Sequence, residues 1–317
     1  MQLPHPRGAL GAHLTTLLRT DPRTAATIDD APTADNPDDA ALSLWMLHEL
    51  HYRGFDDVSD RWEWHPATLT TRARLEAALE ARLRVEIADA AIPRTDDLVD
   101  DLQTIIESDD GRSLARHVQQ HASREETEAL LRQRSIYHLK EADPTSWVVP
   151  RLPARPKAAL LEVQFDEYGN GDPARLHHVL FEQGLSAAGL DAAYGAYVDE
   201  ALPEVLDQNN VLSMFGLHRR LRGAALGHLA AFEATSSVPS RQLAQGLRRL
   251  DFPEAMASYY DEHVAADAVH EQLALRDICQ TLVAAEPALA DDVRFGVWAC
   301  LTLENRTATA LLEEWAA

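Results

Sequence analysis

The 317-residue chain carries 51 acidic and 29 basic side chains, which gives a formal net charge of −22 at pH 7. An acidic surface of this size repels phosphate backbones and anionic lipids, so we expect neither nucleic acid nor a membrane as a partner. No run of about 18 apolar residues exists that could span a bilayer. The amino terminus lacks a signal-peptide layout, and Cys279 and Cys300 form no disulfide framework, so we expect a cytoplasmic protein.

The first half of the chain is predicted to be helical after a polar, proline-containing stretch at residues 20–38. We expect residues 1–38 to be partly mobile. Asp38 is the predicted N-cap of the first long helix, and Ser123 with Glu126 has the form of a capping box. The predicted helices cover residues 39–53, 68–90, 96–108, a stretch opened by Ser113, and 123–142.

The second half is also predicted to be helical, with a proline-bracketed connector at SWVVP as the only strand-like segment. Asp172 and Pro173 have the form of an N-cap and first helical residue. The TSS run at 235–237 is expected to end a helix. The predicted helices cover 155–168, a stretch from Asp172, short helices within 190–207, 212–234, a stretch from Pro239, 253–282 and 287–315. This pattern indicates an all-α fold of roughly ten helices, in one domain spanning 1–317.

The segment YYDEHVAADAVHEQ is the most informative, because His263, Asp267 and His270 stand at positions i, i+4 and i+7. At about 100° per residue, these side chains fall within an arc of about 60° on one helix face. Two histidines and a carboxylate form a ligand set of non-haem iron with open positions. The same spacing also fits a helix with two surface histidines and an aspartate.

Other acidic and imidazole groups stand in apolar surroundings. A buried Glu233 would need a partner, a proton or a metal, although it could also face solvent near its helix end. Glu162 and Glu167 point to different faces, so one of them is expected to face the core. At most one of His177 and His178 can point inward. The chain lacks the Glu-x-x-His motif, which disfavours a ferritin-like bundle.

Four separated runs carry a family resemblance: YHLKEADPTSWVVPRL, KAALLEVQFDEYGNGDPARLHHVLFEQGL, LHRRLRGAALGHLAAFEATSS and YYDEHVAADAVHEQ. In this order they resemble the haem-oxygenase-like diiron oxidases, also called iron-containing redox enzymes. The resemblance covers about residues 135–317 and implies a haem-oxygenase-like helical bundle, with this region as the metal-binding core and additional helices before it.

The resemblance implies seven metal ligands. It selects Glu167 over Glu162, favours His177 with His178 as a fallback, and includes a glutamate that by itself would be interpreted as a surface residue, Glu141. The implied ligands are Glu141, Glu167, His177, Glu233, His263, Asp267 and His270.

The resemblance also implies the chemistry. Two Fe ions would bind O2 as a co-substrate and form a bridging peroxo-diferric species, with electrons from an external donor such as a reductase. Carboxylates suit such a centre because they neutralise and bridge the metals. Within the family the N-oxygenases look most similar, so we expect N-oxygenation of a small amine- or guanidine-bearing metabolite.

Three alternatives remain open: a diiron desaturase, an oxidase that cleaves C–C bonds of an amino acid or fatty acid, and a non-enzymatic acidic interaction protein. Arg222 is a candidate anchor for a substrate carboxylate, although a surface basic cluster explains it equally well. Candidate pocket residues are Phe165, Tyr168 and Phe181, for which core packing is the alternative.

Weaker signals are interpreted as structural. His48 and His51 lie beside apolar residues of an amphipathic helix, and Cys279 has no group beside it that would activate a thiolate. The segment RWEWHP, with Trp62 and Trp64, is expected to cover one end of the core or to form a homodimer contact.

Overall fold

The computed structural model of the chain describes residues 1–26, 30–90 and 92–316, except for the side chains of residues 265–269. Within these ranges the backbone forms helices, turns and loops, and no β-strand is present. The predicted all-α class is therefore confirmed, and the strand-like SWVVP segment forms turns and a short 3-10 helix, Val149–Arg151. No helix in this part of the chain is long and apolar enough to cross a membrane.

Five helices precede the region that carries the predicted ligands. Asp38 is not the N-cap of the second helix: the Asn36 side chain accepts a hydrogen bond from the backbone N–H of Asp39 at 2.8 Å. Ser113 caps the fifth helix, as predicted. Leu10 on the first helix is buried, so part of the N-terminal segment is packed, and its mobility stays a prediction. The five helices are α1 (Ala9–Leu18), α2 (Pro37–Glu49), α3 (Pro66–Ala88), α4 (Leu98–Glu107) and α5 (Leu114–Gln120).

The next five helices build one side of the bundle. Ser123 and Glu126 form the predicted capping box, in which each side chain accepts a hydrogen bond from the other residue's backbone N–H. The predicted helix start at Asp172 is wrong, because its side chain accepts from Ala174 N in a tight turn and the helix begins later. These helices are α6 (Arg124–His138), α7 (Asp143–Ser146), α8 (Ala154–Glu167), α9 (His177–Ala187) and α10 (Pro203–Leu217).

The longest helix departs most from prediction. The TSS run at 235–237 does not end it and Pro239 does not begin another, because the helix is continuous across both. Thr235 Oγ1 donates back to the Ala231 carbonyl at 2.8 Å. Packing against two neighbouring helices along its length outweighs the hydrogen bond that a proline cannot donate. The last helices are α11 (Arg222–Arg249), α12 (Glu254–Gln272), α13 (Thr281–Ala285) and α14 (Ala290–Glu314), with a π-helical segment, Leu273–Gln280, joining α12 to α13.

Two glycines allow α11 and α14 to approach each other closely. A Cβ atom added to Gly227 would lie 2.0 Å from the Val293 carbonyl oxygen, and one added to Gly296 would lie 2.0 Å from the Ala224 carbonyl oxygen. Any larger residue at either position would push the helices apart. This contact fixes α11 against the bundle three turns or less from Glu233.

The buried apolar residues form three groups. One surrounds α11 and α14, one lies between α6, α9 and α12, and one holds α1 and α2 against the start of α10. Leu75 packs against the first and third groups, and Leu202 packs against the second and third. The N-terminal helices therefore share apolar contacts with the remainder of the chain, while the single-domain assignment stays a prediction.

Candidate metal centre

Glu141, His177 and His263 come together as a buried trio whose donor atoms all lie within 4.8 Å of one another. Glu141 Oε1 lies 3.7 Å from His177 Nδ1 and 3.7 Å from His263 Nε2. These distances are too long for hydrogen bonds. Two atoms bound to one metal ion at about 2.1 Å lie about 3.0–4.2 Å apart, depending on the bond angle. The trio therefore has the spacing of donors around a shared cation.

Local chain geometry places these three side chains. α6 ends at His138, and the following turn carries Glu141 into the bundle. His177 is the first residue of α9. His263 lies in the middle of α12, where its Nδ1 bonds to the Tyr259 carbonyl oxygen at 2.9 Å. Because Nδ1 donates its hydrogen to that carbonyl, the neutral form of the ring has its lone pair on Nε2, which faces Glu141.

The second oxygen of Glu141 is held by two residues that the sequence did not indicate. Tyr259 OH and His138 Nδ1 both donate to Oε2, each at 2.8 Å. Oε1 is left buried and without a hydrogen-bond partner, facing the trio. Tyr259 stands four residues before His263, so helical spacing was a signal that would have found it. His138 stands three residues before Glu141, which is also a spacing of neighbours on a helix face.

A second trio consists of Glu167, Glu233 and His270, whose donor atoms also lie within 4.8 Å of one another. Glu167 is the last residue of α8, Glu233 lies on α11, and His270 follows His263 by two turns on α12. His270 Nδ1 lies 3.2 Å from Glu233 Oε2, and its Nε2 lies 3.2 Å from Asp166 Oδ2. Asp166 was not predicted, and its side chain is 34% exposed.

Glu167 connects the two trios, because its Oε2 lies 2.9 Å from His177 Nδ1. That approach is off the hydrogen-bonding direction of the ring, so His177 Nδ1 is buried without a hydrogen-bond partner. A cavity of about 30 Å³ lies between the trios, which is room for about two water molecules or small ions. The buried His228, whose Nε2 has no partner, also lines this cavity. Other residues of its wall are Glu141, Glu233, His263 and Phe232.

Opposed electrostatic effects act on these groups. Burial alone would raise the pKa of Glu141, but hydrogen bonds and charge from the neighbouring imidazoles hold that pKa well below its usual range. Burial alone would lower the pKa of His263, but the carboxylate of Glu141 raises it to about 10. Glu233 has the same effect on the pKa of His270, which rises to about 9 despite burial. Burial raises the pKa of Glu233 itself.

The donor set fits iron. Within the described residues, no Lys or Arg forms an ion pair with Glu141, Glu167 or Glu233, which pair only with histidines. Buried carboxylates without Lys or Arg partners need protons, protonated histidines or metal cations. Carboxylate oxygen with imidazole nitrogen is a ligand mixture that non-haem iron uses. The orphaned Glu141 Oε1, directed at two imidazole nitrogens, is the atom that most plainly lacks a cation.

The remaining predicted ligands have different outcomes. Asp267 lies outside the residues whose side chains the structure describes, so its role stays a prediction. Glu162 is exposed and belongs to neither trio, whereas Glu167 faces the site. His178, the fallback for His177, is half-buried and also belongs to neither trio.

The candidate substrate-binding residues lie away from the cavity between the trios. Phe165 is 57% exposed on the surface of α8. Tyr168 OH donates to Asp143 Oδ1 at 2.8 Å and lines a surface cleft. Phe181 is fully buried and packs against the His138 ring, with ring centroids 4.9 Å apart. Arg222 pairs with Glu286 and donates to the Arg219 carbonyl.

The residues that gave the weaker signals have contacts typical of structural roles. His48 is buried, with its Nε2 2.9 Å from Glu76 Oε1 and its Nδ1 3.1 Å from Asn210 Oδ1. Burial raises the pKa of the Cys279 thiol to about 12, which disfavours a thiolate nucleophile. Trp62 is buried and Trp64 is 61% exposed, and a homodimer contact there stays a prediction.

Comparisons with known proteins identify one family model. A model described as iron-containing redox enzyme matches residues 128–305, a span that includes all seven predicted ligands. No curated protein matches the chain. Two crystal structures of a CADD-like protein of unknown function from Nostoc punctiforme are similar, with a TM-score of 0.48 for each and sequence identities of 17% and 16%. Each alignment covers 75% of this chain, and they cover 97% and 95% of those chains.

Proposed function

Since the chain belongs to the family of iron-containing redox enzymes, and thus is an oxidoreductase with the predicted haem-oxygenase-like helical fold, we propose that it is a non-haem diiron oxygenase. Its proposed reaction is the dioxygen-dependent hydroxylation of a nitrogen atom in a small amine- or guanidine-bearing metabolite. Glu141, His177 and His263 would hold one iron ion. Glu167, Glu233 and His270 would hold the other, together with Asp267 if the family resemblance extends to that residue.

The observation that carries this proposal is the pair of adjacent trios with Glu167 between them. Each trio offers three donors within 4.8 Å of one another. Glu167 Oε2 lies 2.9 Å from His177 of the other trio. A single isolated trio would suit a mononuclear site, whereas two connected trios suit two ions that share a carboxylate neighbour.

Residues around the donors orient them and exclude water. The carbonyl oxygen of Tyr259 fixes the tautomer of His263, and its hydroxyl holds one oxygen of Glu141. Such contacts from surrounding residues set the direction of metal ligands. Leu229 and Phe232 line the cavity and limit the access of solvent. Bound iron would supply the reduction of dioxygen and the oxidation of the substrate.

The reaction needs an external reductant. Hydroxylation of an N–H group by O2 places one oxygen atom in the product and reduces the other to water, which requires two electrons and two protons. No group in the described cavity wall is a source of these electrons. We therefore include an external electron donor, such as a reductase, in the proposal.

Metal binding is tested with two matched pairs of variants. Anaerobic Fe(II) titration of the wild-type chain should give two bound ions. His177→Ala and Glu167→Gln should each lower the affinity by at least about tenfold, since each removes one donor from a small set. His178→Ala and Glu162→Gln should bind iron like the wild type, because neither residue belongs to a trio. Loss of binding in both members of a pair, or no iron binding by the wild type, would refute the proposed centre.

The reaction is tested by the mass of the product. The iron-loaded protein is incubated with O2, a chemical reductant and a panel of amines and guanidines. A product that gains one oxygen atom supports N-hydroxylation, while loss of two hydrogens identifies a desaturase and a shortened product identifies C–C cleavage. A chain that binds iron but converts none of the panel, with no iron oxidation on exposure to O2, would contradict the assignment as an oxygenase.

A further inference from the structure

A second cavity adjoins the metal centre. It has a volume of about 190 Å³ and shares two wall residues, His263 and Phe232, with the cavity between the trios. Its outer end is formed by the loop between α4 and α5, at Asp109–Ser113, and by Asn305 on α14. The cavity therefore extends from one of the candidate ligands towards the protein surface, on the side of Glu141 that His138 and Tyr259 cover.

An oppositely charged pair stands in the wall of this cavity. Arg134 NH2 lies 3.5 Å from Glu304 Oε2, and the two side chains are 22% and 29% exposed. Glu304 is also hydrogen-bonded to Gln208, which fixes its orientation. Within the described chain this is the only ion pair or side-chain hydrogen bond of the Arg134 guanidinium, which has five N–H donors. Most of its donor capacity is therefore free for a ligand.

Two buried polar atoms in the same wall also lack partners. His138 Nε2 and Tyr260 OH have no hydrogen-bond partner, and the two residues are 4% and 3% exposed. A buried donor or acceptor without a partner costs free energy, and such groups are normally satisfied. Both side chains lie near the metal centre, since His138 contacts Glu141 and Tyr260 packs edge-on against Tyr259, which also bonds to Glu141.

We propose that this cavity binds the substrate, and that the substrate is a small α-amino acid. Its carboxylate would pair with Arg134, whose planar fork suits bidentate contact with a carboxylate. Its α-ammonium group would pair with Glu304. An α-amino acid carries its ammonium and carboxylate groups on one carbon atom, so the two groups are close enough together to reach a protein pair whose charged atoms lie 3.5 Å apart. The side chain would then extend past Tyr260 and His138 towards His263, where oxidation occurs.

The cavity volume agrees with this class of ligand. Pockets for drug-sized molecules hold about 300–1,000 Å³, so a cavity of about 190 Å³ accepts something smaller. A long-chain fatty acid would exceed it, and it carries no cationic group for Glu304. The identification of the substrate class rests on the proposed function, whereas the binding site itself does not require iron.

The first test uses the wild-type, metal-free protein and needs no variant. The protein L-amino acids are titrated by calorimetry, followed by the decarboxylated amine of each one that binds. At least one amino acid should bind with a Kd of about 1 mM or lower, and its amine should bind at least about tenfold more weakly. If no amino acid binds at about 10 mM, or if the amine binds equally well, the proposal is overturned.

The second test compares two arginines of the same helix. Arg134→Met should weaken amino-acid binding by at least about tenfold and leave the affinity for the amine unchanged. Arg134→Lys should retain part of the binding, since the charge remains but the bidentate contact is lost. Arg132→Met is the control, because Arg132 pairs with Glu200 outside the cavity. Equal weakening by Arg134→Met and Arg132→Met would overturn the proposal.

The experiments can refute the amino-acid site and the diiron oxygenase independently of each other. If Fe(II) binds to the trios but no amino acid binds to the metal-free protein, the amino-acid site is wrong and the metal centre remains. If amino acids bind through Arg134 but the chain binds no iron, the binding site remains and the diiron oxygenase is wrong. Circular dichroism and thermal melting of each variant show whether a loss of binding reflects a loss of the fold.

Discussion

A buried ion pair fastens the turn that carries Glu141 to the N-terminal helix α2. Lys140 Nζ donates to Glu49 Oε2 at 3.0 Å, and the two residues are 2% and 0% exposed. Tyr194 OH donates to the same carboxylate at 2.9 Å. Lys140 also lies 4.5 Å from the centre of the Tyr52 ring, in cation–π contact. We predict that Lys140→Met strongly destabilises the fold and also weakens metal binding.

The size of the effect follows from burial. Lys140→Met leaves Glu49 charged and buried without its cation, and breaking a buried ion pair in this way costs about 3–5 kcal/mol. At about 2.1 cal/mol/K of unfolding entropy per residue, the cost lowers the Tm of this chain by roughly 5–8 °C. The triple variant Lys140→Met, Glu49→Leu, Tyr194→Phe should recover most of the loss, because apolar groups then replace all three polar side chains.

Thermal and urea denaturation of the metal-free protein measure these differences. The control is Arg248→Met, which removes an exposed pair with Glu254 and Asp261 and should cost less than about 1 kcal/mol. Anaerobic Fe(II) titration of Lys140→Met should show weaker binding, since the turn that positions Glu141 is released. The reasoning is refuted if Lys140→Met costs no more than Arg248→Met, or if the triple variant is less stable than Lys140→Met alone.

Three further predictions concern packing, pH and metal. Gly227→Ala should lower stability by about 1–3 kcal/mol in urea denaturation, because its Cβ would meet a backbone carbonyl of α14; an unchanged midpoint would contradict this. Burial lowers the pKa of His228 to about 4, so the unfolded chain takes up this proton first and stability falls with acidification. Between pH 7 and 5 the metal-free wild type should lose about 2 kcal/mol more than His228→Gln, and equal losses would disprove the assignment. Anaerobic Fe(II) at about 100 times its Kd should stabilise the wild type by about 2.7 kcal/mol for each ion bound. Glu233→Gln should lower this gain and Glu162→Gln should retain it, and equal responses of the two variants would contradict the prediction.

Local sequence signals predicted the structure correctly where the interacting groups lie within a few residues of each other. The capping box of Ser123 and Glu126 and the N-cap Ser113 were predicted and are present, because each joins a side chain to backbone within one helical turn. The same reasoning failed at Pro239. There a local stop signal is overridden by the packing of α11 against α12 and α14, which no single segment reveals.

The sequence by itself determined the all-helical class and the placement of His263 and His270 on one face of α12, since both follow from the helical repeat. Selecting Glu141 and Glu167 required a family resemblance. The residues alone indicated a surface position for Glu141 and did not distinguish Glu167 from Glu162. Only the tertiary structure decided which groups surround these ligands, among them His138 and the Arg134–Glu304 pair. Helical periodicity fixes directions within one segment, whereas the meeting of side chains from five segments depends on how those segments pack around a common centre.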